Sequence, residues 1–360
     1  MIIDFLKNVI YSAISMLNSA SVWIVFSFAI AGIMHEFVGT DKMKKSTIGS
    51  TKLSGIFLST ITGMLIPICS CGTIPLGISM YYSGAYLGPV LTFMTSSPMI
   101  NPIALILSYG LLGKEIAIIY LITGFVAPFL IGVIANKFAG DELYYKPAYE
   151  NNIKKIELAK ENKPVFSRVK AGLRWSFFEL AVVISKYTVS GMLIAGVLFT
   201  LVPQTMIQHY LGNPGLISLL GITVVAALMY VCAVGHIPFI AALVASGASP
   251  GVAITFLMAG CATNIAELLS IRKMIGKRAL IIYMTTVILI SEIVGYLTNV
   301  ILVDFKPVLN YDAITHSISY ANVFIIEFPI WLKGICSTIL IIYAIVALYR
   351  YLKNKIFVKV

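Results

Sequence analysis

Long apolar runs separated by short polar loops fill most of the chain. Runs at residues 20–38, 115–136, 180–202, 279–302 and about 328–349 have the length of membrane-spanning helices. Residues 1–18, apolar around Asp4 and Lys7, read as an interfacial helix leading into the first span. Two further stretches, 53–112 and 216–271, are apolar but interrupted. In the first, Pro67, Gly72, Pro75, Gly84, Pro89, Pro98 and Pro102 are incompatible with one continuous helix. Broken backbone at membrane depth survives only where protein or a water-filled cavity satisfies the freed groups.

The two interrupted stretches are copies. A shift of 163 residues places Cys69 on Cys232, Gly72 on Gly235, Ile74-Pro75 on Ile237-Pro238, and Ser83-Gly84-Ala85 on Ser246-Gly247-Ala248. It also places Asn101 on Asn264, Gly113-Lys114 on Gly276-Lys277, and Tyr120 on Tyr283. From Thr60 to Asn136, 22 of 77 positions are identical without a gap, more than shared apolar bias produces. Paired, interrupted apolar segments in two halves point to the binding site of a secondary transporter.

Charge orients the runs. Lys42, Lys44, Lys45 and Lys52, then Arg272, Lys273, Lys277 and Arg278, then Arg350, Lys353, Lys355 and Lys359 place three turns or tails inside the cell. The chain divides into a first transmembrane repeat (1–136), a basic cytoplasmic linker (137–178), a second repeat (179–302), and an outer loop with a last helix and basic tail (303–360). This charge pattern favours inverted repeats, with an odd number of crossings in each interrupted stretch: three broken crossings, or one crossing plus a re-entrant hairpin of uneven arms. Two long broken crossings would make the repeats parallel and put the linker outside, and that version ranks second. The expected fold is an all-α polytopic membrane protein with broken or re-entrant helices and nine to eleven crossings.

Composition agrees. The chain of 360 residues is 59% hydrophobic and 11% charged, with a mean hydropathy of +0.94. The net charge of +11 lies mostly in loops and tail, so topology accounts for it and nucleic acid is not an expected partner. No basic n-region and cleavage site mark a removable signal peptide. No Walker loop, nucleotide fingerprint or triad signature is present, which argues against an ATP-driven pump and calls for no cofactor; a membrane-embedded enzyme stays open, but the paired broken segments favour transport over an enzyme. The expected location is the inner (plasma) membrane, multi-pass, with the bilayer and a small-molecule or metalloid substrate as partners; oligomeric state is left open.

The candidate chemistry sits at the interruptions. Cys69, Cys71, Cys232, Cys261 and Cys336 all lie in apolar sequence without zinc-ribbon or disulfide-framework spacing. They read as reduced thiols. Trivalent arsenic, copper(I) and zinc favour sulfur, and a non-helical turn would let Cys69 and Cys71 reach one ion. Pseudo-symmetry could add Cys232 and Cys261; each cysteine is otherwise a small packing residue. Asn101 and Asn264 can cap half-helices or contact substrate. Gly72, Pro75, Pro98, Gly235 and Pro238 are the expected breaks lining the site, with helix N-termini near the prolines and Cys261. Glu267 and Glu292, acids in apolar sequence whose counterparts are Ala104 and Phe129, are candidates for carrying a coupling proton. His236 is a third candidate, set against a structural histidine.

These motifs resemble a bacterial and archaeal permease family that includes the efflux permeases for trivalent organoarsenicals, with some members described as heavy-metal exporters. The resemblance rests on Pro67, Cys69-Ser70-Cys71-Gly72, Pro75, Gly84, Ser97-Pro98, Asn101 and Pro102. In the second half it rests on Cys232, Gly235, Pro238, Gly247, Gly260, Ala262, Thr263 and Asn264. Cys261 stands where the family pattern has a proline, adding a soft ligand in place of a kink. The resemblance implies efflux of a soft, thiol-reactive substrate, trivalent organoarsenicals first. Two alternatives stand beside it: a permease for a metal ion or small anion with structural cysteines, and a receptor or assembly factor that binds without transporting.

Overall fold

The computed structural model describes residues 2–37, 43, 46–66, 68–145, 164–201, 215–229, 232–303, 305 and 328–357. The described residues form helices and connecting turns. The first half holds α1 (Ile2–Phe37), α2 (Leu53–Leu65), α3 (Ser70–Tyr82), α4 (Leu87–Met99), α5 (Pro102–Leu112) and α6 (Lys114–Phe138). The second holds α7 (Val165–Trp175), α8 (Ala181–Leu201), α9 (Leu216–Leu228), α10 (Ala233–Ala245), α11 (Pro250–Ala262), α12 (Ile265–Met274) and α13 (Lys277–Ile301), followed by α14 (Ile330–Phe357). A π-helical turn, Ser176–Leu180, joins α7 to α8. Pro67 and residues 146–163, most of the expected linker, lie outside the described residues, as does most of the expected outer loop. α7 begins within the stretch expected to be linker.

The 163-residue shift reaches further than the identities. It carries the bounds of α2, α3, α4 and α6 onto those of α9, α10, α11 and α13, and the start of α1 onto that of α7. The local causes repeat as well. Ser83-Gly84-Ala85 ends α3 in a Schellman cap: Ala85 N–H donates to Met80 O, Gly84 N–H to Tyr81 O, and Gly84 takes φ 93°. Gly247 at φ 101° ends α10 with the same pair of bonds, Ala248 to Leu243 and Gly247 to Val244.

Shared close crossings hold each half together. Gly88 N–H donates to Asn136 Oδ1 at 2.7 Å, and Gly251 N–H to Asn299 Oδ1 at 2.7 Å. Thr92 donates to Pro128 O and Thr255 to Ser291 O. A Cβ at Gly132 or Gly295 would run into those threonine hydroxyls, so the glycines set how closely α4 meets α6 and α11 meets α13. Without a hydrophobic drive between helices in lipid, such close packing and interhelical bonds supply the association.

Direction follows from named contacts. α2 runs beside α4 in the same sense, because Gly63 meets Ser96 and Phe93 while Ile56 and Thr92 both meet Gly132. α3 runs back along α4, with Gly77 against Met94. Tyr86, past the end of α3, donates its N–H to Gly49 O in the loop before α2. α2 and α3 are therefore the arms of a hairpin that enters and leaves on one face. α1 meets α7 and α8 head to tail: Arg168 Nη2 donates to Glu36 O at 3.0 Å, Ser176 Oγ to Phe28 O, and Gly196 lies on Val9 and Ala13. Arg278, at the start of α13, donates through Nε to Phe138 O at the end of α6.

The expected nine to eleven crossings are too many for the described residues. Five helices are long and apolar enough to span, or seven if the bent pairs α4–α5 (42°) and α11–α12 (41°) each count as one. The 13-residue α2, α3, α9 and α10 each extend about 20 Å, short of the roughly 30 Å hydrocarbon core. The arms of the hairpin are also equal, not uneven.

If the asparagine bridges carry both halves alike, Asn136→Ala and Asn299→Ala each leave a buried glycine N–H without an acceptor. Each should cost about 1–3 kcal/mol of stability, measured by unfolding of the purified protein in detergent. A loss confined to one variant would show that only one half depends on its bridge.

Candidate functional site

Four breaks mark the middle of the two halves. Two separate hairpin arms, at Ile66–Cys69 and Met229–Cys232; two bend the spans, at Ile100–Asn101 and Thr263–Asn264. The α3 hairpin arm packs on α12 and the α10 arm on α5, so each half's hairpin lies against the other half's broken span. The prolines and glycines expected at the breaks sit elsewhere. Gly72 and Pro75 lie inside α3, Gly235 and Pro238 inside α10, and Pro98 inside α4. Cys261 lies near the C-terminal end of α11, three residues before Asn264, the N-cap of α12. Proline has no amide hydrogen to bond the carbonyl four residues earlier, so Pro75 and Pro238 each remove one helical hydrogen bond without ending the helix.

The four helix starts are capped in two ways. Asn101 Oδ1 accepts from Ala104 N–H and Asn264 Oδ1 from Glu267 N–H, each at 2.9 Å. Cys69 and Cys232 occupy the cap positions of α3 and α10 in extended conformation and make no side-chain cap bond. Carbonyls at both breaks of the first half find side-chain donors. Ser97 Oγ donates to Ile66 O at 2.8 Å and to Ile68 O at 3.2 Å, and Tyr120 O–H donates to Met99 O.

The thiols gather here. The Cys71 thiol lies within bonding reach of Cys69, whose sulfur lies close to the backbone of Gly72 and Cys71. Cys232 lies within electrostatic reach of Cys69, and Cys261 within reach of Cys232 and Glu267. Cys71 and Cys261 are buried, Cys69 is half-buried and Cys232 is exposed. Cys336, on α14, is buried where that helix packs on α1 and α8. Among the described residues no three His, Cys, Asp or Glu side chains are gathered to hold a metal ion. The group is an open thiol set, not a closed metal cage.

The two acids differ in their surroundings. Glu267 is fully buried and both its oxygens are engaged: Oε2 accepts from Asn264 Nδ2 at 3.0 Å and Oε1 from Tyr283 O–H at 2.9 Å. Glu292 Oε1 accepts from Thr223 Oγ1 at 2.6 Å, and its buried Oε2 has no partner among the described residues. His236 turns its Nδ1 back to the backbone of Cys232, at 3.2 Å from N and 3.0 Å from O, which fits the structural reading. Sequence reasoning missed Tyr120, Tyr283, Thr95 and Thr223. Tyr283 bonds Glu267 and lies within bonding reach of Thr95. The identity of Tyr120 and Tyr283 across the repeat was the available signal.

The halves are not equally covered. α1 closes over α3, with Ser27 against Gly72 and Ser79 Oγ donating to Ala31 O at 2.7 Å. Among the described residues the corresponding face of α10 is open: Gly235 and Ala242 are exposed, and no described atom lies within 4 Å of where a Gly235 Cβ would stand. α8 packs on α12 instead, through Gly191 against Ala266.

Known proteins resemble the chain over most of its length. A UPF0718 protein of Methanocaldococcus jannaschii is 27% identical over 357 residues, covering 84% of this chain and 98% of that protein. The UPF0718 protein YcgR of Bacillus subtilis is 26% identical, over 77% of this chain and 92% of its own. A protein of Streptococcus mutans called a putative two-component membrane permease complex subunit is 22% identical, over 72% of this chain and 84% of its own. No solved structure matches significantly. With its residues 6–300 matched by the profile of the family described as "Predicted permease", the chain belongs to that permease family.

Proposed function

We propose that the protein exports a small, soft, thiol-reactive substrate, trivalent organoarsenicals first, across the inner (plasma) membrane by alternating access. One observation carries the reading: thiols from both halves, Cys69 and Cys71 with Cys232 and Cys261, converge where the two hairpins meet the two broken spans. A monomethyl arsenic(III) centre accepts two thiolates, and arsenic(III) prefers sulfur to the oxygen of water. Open, incomplete ligation suits a carrier, which must release what it binds.

Inverted repeats are part of the proposal. They are supported by the head-to-tail contacts of α1 with α7 and α8, and by the basic clusters that put 39–52, the linker 137–178 and the start of α13 on the cytoplasmic side. Alternating access is supported by the unequal covering of α3 and α10: a two-fold related state would bring α8 over α10 and lift α1 from α3. Glu292 is the better proton carrier of the two acids, because a carboxyl oxygen without a partner can take up a proton that Glu267, with both oxygens engaged, has less room for. A second reading is favoured by the meeting of four helix N-termini, whose partial positive charge suits a small anion, with the cysteines only packing.

Expression in a metal-sensitive bacterium should protect against methylarsenite, and Cys69→Ser/Cys71→Ser should abolish the protection at equal expression. Protection that survives without both thiols would remove thiol-mediated export and leave the anion reading. Inorganic arsenite, zinc and copper, tested in parallel, separate the organoarsenical from other soft substrates.

In proteoliposomes, Glu292→Gln should flatten the dependence of methylarsenite flux on an imposed pH gradient, with binding retained. Glu267→Gln should mainly weaken the fold, by about 1–3 kcal/mol, because it disturbs a buried network with two donors. A Glu292→Gln variant with unchanged gradient dependence would exclude it as the proton carrier.

A further inference from the structure

A groove of about 550 Å³ lies between α6 and α13, at the end where both helices carry basic residues. Its walls are apolar, Ile134 and Phe138 from α6 and Ile281 and Ile282 from α13, and its mouth holds Glu142, Lys277 and Arg278. From Lys277 to Thr285 the α13 wall runs eight residues, roughly 12 Å along the helix. Thr285 Oγ1 donates to Ile281 O at 2.6 Å, so this deep hydroxyl already has a partner. The mouth is different. Glu142 is committed to the start of α13, where its oxygens accept from Arg278 N at 3.2 Å and Ala279 N at 2.6 Å. Arg278 uses Nε to hold Phe138 O, leaving its terminal N–H groups. Among the described residues, the Lys277 ammonium has no hydrogen-bond or ion-pair partner.

The duplication supplies an internal control. At the other end of the same two helices, the shift by 163 residues puts Lys114 where the groove has Lys277, but Glu115 where it has Arg278 and Phe305 where it has Glu142. The walls persist, as Ile118 and Ile119 for Ile281 and Ile282, while the paired cations do not. The fold therefore does not require two cations at this position. Apolar walls below a doubly cationic mouth, at the membrane face, match one amphiphile: acyl chain below, phosphate above.

We propose that this groove binds an anionic phospholipid, its phosphate held by Lys277 and Arg278 and its acyl chain laid along Ile281 and Ile134. The basic composition of residues 146–163 makes that stretch a poor electrostatic match for the same mouth. Because α6 and α13 join the two halves, a lipid seated between them would brace the junction.

The full-length protein in detergent would be titrated with phosphatidylglycerol, phosphatidylcholine of the same chains, and inorganic phosphate, with bound lipid counted by native mass spectrometry. Phosphatidylglycerol should be retained at least tenfold better than phosphatidylcholine. Lys277→Ala, which removes no hydrogen bond or ion pair of the side chain among the described residues, should reduce that preference several-fold; Lys277→Ala/Arg278→Ala should abolish it, and Lys114→Ala should leave it intact. Equal retention of both lipids, or an unchanged preference in Lys277→Ala, would overturn the proposal. So would displacement of the lipid by millimolar inorganic phosphate, which would assign the mouth to a free anion. Retention seen only after deletion of residues 146–163 would instead make the linker the occupant.

Discussion

The constraint on which the rest depends is the satisfaction of broken backbone inside a bilayer. Every helix interrupted at membrane depth exposes amides and carbonyls that lipid cannot hydrogen-bond, each at a cost of several kcal/mol. The protein meets this with side chains from neighbouring elements. Ser97 reaches the carbonyls of Ile66 and Ile68, Tyr120 reaches that of Met99, and Asn101 and Asn264 cap the helices that restart after the bends. Once those partners are needed, a hairpin cannot stand apart from its broken span. α2, α3 and α4 must pack together, and the glycine-mediated approach of α6 to α4 follows.

Much of this was legible in the sequence because it was written twice. The identities at a shift of 163 residues fall where the backbone makes a specific demand. Gly84 and Gly247 form left-handed caps, Asn101 and Asn264 are N-caps, and Gly132 and Gly295 sit at crossings. Such demands admit few residue types, so they survive divergence within one chain and can be read by eye. The number of crossings was not legible. Apolar sequence reports that a segment avoids water but not whether it turns back, and α2 and α3 are as apolar as halves of a span. The break positions mislead for a related reason. Pro75 and Pro238 look like helix ends in sequence, yet each sits inside a helix, where its missing amide costs one helical hydrogen bond.

The candidate site was legible in its residue types more than in its arrangement. Cysteines and acids in apolar sequence are conspicuous, and the structure brings four of the cysteines and Glu267 to one region. Tyr283 and Thr223 were not conspicuous, because an aromatic or a threonine in an apolar helix is ordinary packing until a carboxyl group is found beside it. Glu267 and Glu292 look alike in sequence, and only their partners tell them apart. His236 looks chemical, and one of its ring nitrogens, Nδ1, turns to the backbone of Cys232.

Two sets of positions separate once the halves are compared. Positions the halves share shape the backbone. The candidate side chains divide between the two sets: Cys69 and Cys232 are shared, whereas Cys71 stands against Val234, Cys261 against Pro98, Glu267 against Ala104, Glu292 against Phe129 and Arg278 against Glu115. A perfectly symmetric carrier would present the same ligands to both faces and have no reason to release on one of them. Unequal halves remove that degeneracy, since the two related states then differ in free energy for the same bound substrate, and a ligand shifts an equilibrium only through such a difference. The paired thiols Cys69 and Cys71 lie in the half that α1 covers, and the accessible Cys232 lies in the half left open.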